Sequence, residues 1–182
     1  MDATKVFRLE NDVLAFRFTA TLSDRAGESP RERLVDPAHL ELWFRVAGLD
    51  VVGLDAADLR SAVDFREVVH RVGSAFATGL TPAVTDLAAL NRVAAGGRAT
   101  LVLDEKGCAA WSLENSSLAD ALSVIAQDAI RVLGACDTVP VRLCEGPGCA
   151  GLFVDGSRGR NRRWCSMNTC GNRIKKARLA AK

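Results

Sequence analysis

The sequence predicts a mainly α fold in two parts: a helical N-terminal domain with a small β-hairpin at 1–138, and a small cysteine-rich module at 139–182. Helices are predicted in the first part because its apolar residues recur at three- and four-residue intervals over several segments. The second part is distinguished by its cysteines, since four of the six in the chain fall within 27 consecutive positions there. A chain of 182 residues has room for one ordinary domain and a small appendage.

Capping residues place the helix boundaries in the first part. Asp36 and Pro37 begin a helix that Gly48 ends. Three more helices are predicted at 55–78, 81–95 and 116–136. The residues that cap their first turns are Asp55, Thr81 and Ser116 or Ser117. The apolar pattern at 12–23 fits both a helix and a strand in part and favours a helix, and the polar segment 24–36 predicts a loop.

One β-hairpin interrupts the predicted helices. The segments 99–104 and 108–113 are mostly apolar, and they flank the sequence Glu105-Lys106-Gly107. A short turn that contains glycine between two such runs is typical of a hairpin. The segment 137–140 contains Pro140 and is predicted to be the hinge between the two parts.

Charge is distributed unequally between the two parts. Residues 140–182 hold ten Lys or Arg against two acidic residues, a net charge of +8. Residues 1–139 hold 14 basic and 20 acidic residues, a net charge of −6. This asymmetry is typical of a segment that meets a polyanion, and it fits equally well a tail that its charge keeps soluble. Charge alone does not choose between the two.

The clustered cysteines follow the pattern Cys144-x4-Cys149-x15-Cys165-x4-Cys170. Two cysteines a few residues apart on a tight turn can face one ion, and zinc binds four thiolates in a tetrahedron. The N-terminus lacks the basic start of a secretory signal, so metal is favoured over disulfides. Four free thiols or a redox pair fit the spacing less well. The pattern predicts structural Zn²⁺ with no open position for water.

The segment around these cysteines predicts a turn, a hairpin and a helix in that order. The residues 145–148 form the turn, the segments 151–154 and 160–163 predict two short strands, and a helix begins near Cys170. This order resembles a treble-clef zinc finger. Trp164 is interpreted as a core residue of the module rather than as a platform for base stacking.

The run 153–173, FVDGSRGRNRRWCSMNTCGNR, resembles the CGNR zinc finger, a family named for the residues at 170–173. Upstream, the order of the early apolar segment, 40–49, 99–113 and the following helix is similar to the ABATE domain. That domain usually precedes this finger in bacterial proteins proposed to be stress-induced transcription regulators. The resemblance implies a bacterial DNA-binding regulator.

One segment departs from the family pattern. The early family motif commonly runs L-D-F-x-N-T, whereas this chain has F-R-F-T-A-T at 16–21. Arg17 replaces the acidic residue and Ala20 replaces the amide. A role that those two polar positions serve in the family therefore does not transfer to this chain on the resemblance.

The basic residues of the module are the predicted nucleic-acid contacts. Alternate arginines of a strand share a face, and residues three or four apart share a side of the terminal helix. Six phosphate contacts would make log K fall against log salt with a slope of about −5 on duplex DNA. Asn172 and Arg173 are able to read base edges, although Asn172 is interpreted as a turn-forming residue. The predicted set is Arg158, Arg160, Arg162, Arg163, Asn172, Arg173, Lys175, Lys176 and Arg178.

The remaining reactive side chains predict no catalytic set. His39 and His70 are the only histidines, and both lie on predicted helices among apolar neighbours. Cys108 and Cys136 stand apart from the cluster and are predicted to be buried as small apolar residues. We therefore expect no enzymatic activity.

Together these patterns predict a zinc-dependent nucleic-acid-binding regulator. The module is expected to bind DNA, and the N-terminal domain is expected to sense a small-molecule effector or a protein partner. Two alternatives stay open: a module that binds an acidic protein, and an RNA-binding protein. No apolar run reaches the about 20 residues that span a bilayer, so a cytoplasmic protein with no membrane partner is predicted.

Overall fold

Helices are the predominant regular structure, and the predicted mainly α class is confirmed. The structure is a computed structural model that describes residues 6–135 and 140–180. Cys136, the greater part of the predicted hinge (137–139) and Lys182 lie outside the described residues. The helices are α1 (Leu14–Thr19), α2 (Pro37–Val46), α3 (Ala56–Ala77), α4 (Val84–Gly96), α5 (Leu118–Gly134) and α6 (Asn172–Ala180), and a π-helical turn at Met167–Gly171 leads into α6. Across 6–135 and 140–180, no helix has the length and apolar character needed to cross a membrane.

Side chains cap three helices where the sequence predicts it: Asp36 on α2, Asp55 with Asp58 on α3, and Ser117 with Asp120 on α5. The prediction for Thr81 is wrong. The chain stays extended through Ala83, so α4 begins at Val84 without a side-chain cap. Thr81 lies before that extended stretch and is too far from the first free amides to accept from them.

The described strands pair in three antiparallel two-stranded ladders: β1 (Leu22–Ser23) with β2 (Arg31–Glu32), β3 (Ala99–Leu103) with β4 (Ala109–Leu113), and β5 (Val141–Leu143) with β6 (Leu152–Val154). The β3–β4 hairpin confirms a prediction, and β2 lies in the segment predicted to be a loop. The predicted strand at 160–163 does not form. It loses its partner because β6 pairs with β5, upstream of Cys144.

The C-terminal module shares the core of the helical domain. Leu152 on β6 is 1% exposed and packs on α3 at Gly73, where an added Cβ would come within 2.5 Å of Leu152 Cδ1. The absence of a side chain at Gly73 thus permits this close approach. Asn11 Nδ2 donates to the Leu152 carbonyl oxygen at 2.8 Å, and His70 Nε2 lies 2.9 Å from the Ala150 carbonyl oxygen. The module is therefore packed against the domain over several independent contacts.

A buried ionic network fastens β2 and its neighbouring loop to α3. Arg66 is 2% exposed, and its guanidinium binds both carboxylate oxygens of Glu32 at 2.7 and 2.8 Å. Glu67 accepts from Arg66 at 2.8 Å and from Arg25 at 2.6 and 3.1 Å. Burial by itself would lower the pKa of Arg66, but the hydrogen bonds and charges of the two glutamates outweigh it and raise that pKa. The network thereby holds its groups in their charged forms.

Arg66→Met is expected to lower the free energy of unfolding by about 2–3 kcal/mol, because it removes two charge-assisted hydrogen bonds from the half-buried Glu32 carboxylate. Arg71→Met on the same helix is the matched control. The Arg71 side chain is 55% exposed and pairs with Asp86, so its loss is expected to cost no more than about 1 kcal/mol. Urea unfolding of the wild type and of the two variants measures both losses of free energy. Equal losses for the two variants would contradict a stabilising role for the network.

The network also predicts how stability depends on pH. Burial alone would raise the pKa values of Glu32 and Glu67, but hydrogen bonds from Arg66 and Arg25 outweigh it and lower both pKa values below the ordinary 4.5. A carboxyl whose pKa is lower in the folded state stabilises the fold above its unfolded pKa, and that contribution is lost as pH falls through the folded pKa. Thermal unfolding should therefore show stability declining below about pH 4.5. A smaller decline is expected in Glu67→Gln, and an equal decline would contradict this origin.

Candidate metal centre

The four clustered cysteines direct their sulfur atoms to one point. All four Sγ atoms lie within 4.8 Å of one another, with 3.6 Å between those of Cys149 and Cys165 and 3.8 Å between those of Cys165 and Cys170. A tetrahedral Zn²⁺ with Zn–S bonds of about 2.3 Å separates its sulfurs by about 3.8 Å. The cluster therefore fits zinc with little movement of the chain. Its members are Cys144, Cys149, Cys165 and Cys170, as the spacing predicts.

A tight turn brings the first pair of cysteines together. Cys144 follows β5, and the Cys149 amide donates to the Gly146 carbonyl oxygen at 2.9 Å. A Cβ on Gly146 would lie 3.3 Å from the Cys170 sulfur and 3.4 Å from the Cys144 sulfur, so a side chain there would crowd the site. Gly148 has φ +71°, a conformation that glycine adopts without strain.

The π-helical turn supplies the second pair. Cys165 lies just before this turn and Cys170 lies within it. Ser166 begins the turn, and its hydroxyl accepts from the Thr169 amide at 3.0 Å. The turn leads directly into α6, so the position of that helix depends on the position of Cys170.

Four thiols this close together do not all ionise without a cation. Hydrogen bonds from the neighbouring thiols, that of Cys149 first, lower the pKa of Cys144. Contact with the Cys144 sulfur raises the pKa values of Cys165 and Cys170, because a second thiolate would face the first. A divalent cation favours the thiolate at every position and removes this conflict. A site of four thiolates has no open coordination position, so the metal it holds is structural.

Arg162 supports the cluster from inside the module. Its guanidinium donates to the carbonyl oxygens of Trp164 and Cys165 at 2.9 and 2.6 Å, and it lies over the Phe153 ring at 4.9 Å. Its own amide donates to the Asp155 carboxylate at 3.1 Å. These contacts occupy the guanidinium and favour a structural role for Arg162 over a phosphate contact. The strand that the sequence predicts around Arg162 does not form.

The other predicted contacts lie on the outside of the module, in two groups. Arg163 donates to Glu145 at 2.5 Å and its guanidinium lies 5.8 Å from the Trp164 ring centre. Arg160 has φ +47°, which breaks the alternation that a strand would have given its neighbours. The exposed basic residues on the loop are Arg158, Arg160 and Arg163, and those on α6 are Arg173, Lys175, Lys176 and Arg178.

Asn172 and Arg173 make contacts that favour structural roles. The Asn172 side chain donates to the Asn168 carbonyl oxygen at 3.1 Å, which supports the start of α6. Arg173 donates to Asp24 of the N-terminal domain at 2.8 Å. This hydrogen bond raises the pKa of Arg173, and it outweighs burial in lowering the pKa of Asp24. Arg173 thus links the end of the module to the helical domain.

Further contacts between the two parts were not predicted. Glu10 accepts from the hydroxyls of Ser166 and Thr169, and the Ala26 amide donates to the Gly148 carbonyl oxygen at 3.0 Å. The Glu10–Ser166 bond joins residues 156 positions apart, and no periodic pattern in the sequence reports such a pairing. The Ala26–Gly148 bond places the loop before α2 against the turn that carries Cys149, and Glu10 binds residues of the π-helical turn.

A small cavity lies between the cysteine cluster and the N-terminal domain. Its volume is about 30 Å³, which is room for roughly one water molecule and not for a metabolite. Ala20 lines it together with Cys149 and Cys165, so the position where the family pattern has an amide faces the metal centre. Arg17 lies on α1 and its Nε is buried without a hydrogen-bond partner in the described residues.

The isolated Cys108 differs from its prediction. It is exposed on the β3–β4 hairpin, so the prediction that it is buried is wrong. The reason is that this part of the hairpin projects beyond the helices, and the apolar residues around Cys108 in the sequence are exposed as well.

Cys149→Ser is expected to abolish stoichiometric zinc binding, because a structural site needs all four ligands. The module should then unfold, since metal binding supplies its folding energy. Cys108→Ser is the matched control and should retain about one zinc per chain. Metal analysis reports the stoichiometry, and trypsin cleavage among the arginines at 158–163 reports the fold. Full zinc content in Cys149→Ser would contradict the four-ligand site.

Two family models match the chain in the order that the sequence predicts. The model of the CGNR zinc finger matches residues 141–182. The ABATE model, described as "Putative stress-induced transcription regulator", matches residues 12–135. Comparison with curated proteins finds no match. With the convergent thiols, these matches identify the cofactor as structural Zn²⁺. Because the ABATE match spans more than half of the chain, this protein belongs to the ABATE family and carries a C-terminal CGNR zinc finger.

Proposed function

We propose that this chain is a zinc-dependent DNA-binding transcriptional regulator whose finger binds the phosphates of the duplex. The observation that carries the proposal is the set of exposed basic side chains on the finger, beside an open groove. Within the described residues, the ion-pair partner of Arg163 is Glu145, and Lys175, Lys176 and Arg178 form no ion pair. The charges of Lys175, Lys176 and Arg178 are therefore available to a polyanion.

The groove is lined by Trp164, Lys175 and Arg178 and by apolar neighbours on α6 and the π-helical turn. Arg163 adjoins these three residues. Trp164 is half-buried and packs against the cysteine cluster, so its ring is held in place while one part stays accessible. Fixed cationic groups next to an aromatic wall suit phosphate and sugar contacts.

The proposed contacts are fewer than the sequence alone predicts. Arg162 binds carbonyl oxygens inside the module, Arg173 binds Asp24 at the surface, and Asn172 supports the start of α6. The proposed phosphate contacts are Arg158, Arg160, Arg163, Lys175, Lys176 and Arg178. Six contacts again correspond to a salt slope of about −5.

The charge of the rest of the chain also favours DNA binding through the finger. Residues 1–139 have a net charge of −6, so DNA is repelled from the helical domain and attracted to the finger. The finger is held to that domain through Asp24 with Arg173 and Glu10 with Ser166. We propose that an effector or partner of the N-terminal domain acts on DNA binding through these contacts, and that the closed thiolate site has no catalytic part.

One observation favours a second candidate function, binding of an acidic protein. Met167 and Leu179 line the same groove and are 60% and 64% exposed. An amphipathic acidic segment would cover these apolar side chains and meet the basic ones. Partners that remain after nuclease treatment would favour this candidate, and a parallel titration with duplex RNA distinguishes RNA from DNA.

The double variant Lys175→Gln/Lys176→Gln is expected to weaken binding to duplex DNA and to reduce the salt slope by about 2, because each lysine neutralises one phosphate. Arg45→Gln/Arg92→Gln is the matched control: it removes two exposed charges from α2 and α4 of the N-terminal domain and should leave the slope unchanged. Fluorescence anisotropy over a salt series measures both.

The full zinc-loaded chain is the right material for this test. Removing 140–180 would expose the part of the core to which Val141 and Leu152 contribute, and it would confuse folding with binding. An equal slope in the lysine variant and the wild type would contradict the proposal, as would DNA binding that survives removal of zinc.

A further inference from the structure

The outer edge of β3 is an apolar strand without a partner in the described residues. Residues 100–103 are all exposed, and the exposed fractions of Leu101 and Leu103 are 59% and 75%. On β4, Trp111 and Leu113 are half-buried, so β4 is the better covered of the two strands. The ten residues of the hairpin strands carry no charge. An uncharged edge of this kind is a template for pairing with another strand.

The hairpin register determines which backbone groups face that edge. The Glu114 amide donates to the Arg98 carbonyl oxygen at 3.0 Å, and the Asp104 amide donates to the Cys108 carbonyl oxygen at 2.8 Å. Hydrogen-bonded pairs alternate along an antiparallel ladder, so the even-numbered residues of β3 bond to β4. The odd-numbered residues, Ala99, Leu101 and Leu103, therefore direct their N–H and C=O groups outward.

We infer that this edge pairs with the same edge of a second copy of this chain, with β3 antiparallel to β3 about a twofold axis at Leu101. In that register Leu101 faces Leu101 of the partner copy, and Ala99 faces Leu103. Each of the three pairs consists of residues with outward N–H and C=O groups, so each exchanges two hydrogen bonds. Two hairpins thus become one four-stranded sheet.

Charge selects this register and this edge. Arg98 and Asp104 lie three residues before and three residues after Leu101, with no charge between them. The twofold pairing therefore places Arg98 of each copy opposite Asp104 of the other, and opposite charges on facing strands stabilise a sheet. Self-pairing of β4 about Trp111 would instead place Glu114 opposite Cys108, with no such complement. The β3 edge is thus complementary to itself, which identifies a second copy as its partner.

The same pairing covers the exposed apolar side chains. Side chains alternate along a strand, so Leu101 and Leu103 share a face with Ala99, and this face continues onto Trp111 and Leu113 of β4. Ala99, Trp111 and Leu113 pack against the core of their own copy. In the pair, Leu103 lies beside Ala99 of the partner copy and therefore near the base of the partner's hairpin. A two-stranded hairpin is only marginally stable alone, and a four-stranded sheet is more stable.

Sedimentation velocity of the full zinc-loaded chain over a concentration series tests the inference. The wild type is expected to form a dimer. Leu101→Lys places two lysines opposite each other at the twofold axis and should weaken the dimer by about tenfold or more. Val52→Lys is the matched control, because Val52 is 70% exposed in a loop remote in sequence from the hairpin, and this variant should dimerise as the wild type does.

Mixing two variants tests the register itself. Leu101→Asp, like Leu101→Lys, is expected to be monomeric alone, and an equal mixture should form a heterodimer because Lys then faces Asp. Circular dichroism and zinc content of each variant should match the wild type, as expected for an exposed position. A monomeric wild type, or a dimer that Leu101→Lys leaves intact, would overturn the inference. A mixture that stays monomeric would overturn the twofold at Leu101.

Discussion

The convergence of four cysteine sulfurs on one point is the constraint on which the rest of the C-terminal module depends. The module's own cluster of buried residues contains Phe153 and three of the cysteines, with Trp164 and Cys165 packed against it. So small an apolar cluster does not stabilise a fold of this length by itself, and the metal supplies the missing free energy. Closure of the site brings β5 next to β6 and directs α6 outward from Cys170.

The metal site also decides how the finger meets the helical domain. With β5 and β6 paired, Val141 and Leu152 enter the core beside α3, and Gly73 leaves the space that Leu152 occupies. The turn that carries Cys149 then meets the loop near Ala26 through a backbone hydrogen bond. That loop is held to α3 by the Arg66–Glu32 pair. Metal site, shared core and ionic network are thus connected by direct contacts.

Predictions from the sequence are correct where the structure depends on interactions between neighbouring residues. They are wrong where it depends on interactions between residues far apart in the chain. Asp36, Asp55 and Ser117 cap helices through atoms two or three residues away, so their neighbours in sequence suffice to predict them. The sequence predicts a strand at 160–163, but β6 pairs with β5 instead, and the sequence does not show which partner a strand takes. Arg162 and Arg173 look alike as basic residues, yet one binds carbonyl oxygens beside Cys165 and the other binds Asp24. Only the folded chain shows which arginines are held by contacts of this kind.

The sequence by itself determined the mainly α class, the β3–β4 hairpin, the four zinc ligands and the concentration of positive charge after residue 140. Each of these follows from spacing, periodicity or composition, which are properties of neighbouring residues. The tertiary structure decided that the finger shares the core of the domain, which basic residues stay accessible, and that β3 keeps an open edge. These depend on contacts between distant residues, such as Asn11 with Leu152 across 141 positions, and on the burial that results from them. Burial is a property of the packed chain, and it cannot be read from the sequence of one segment.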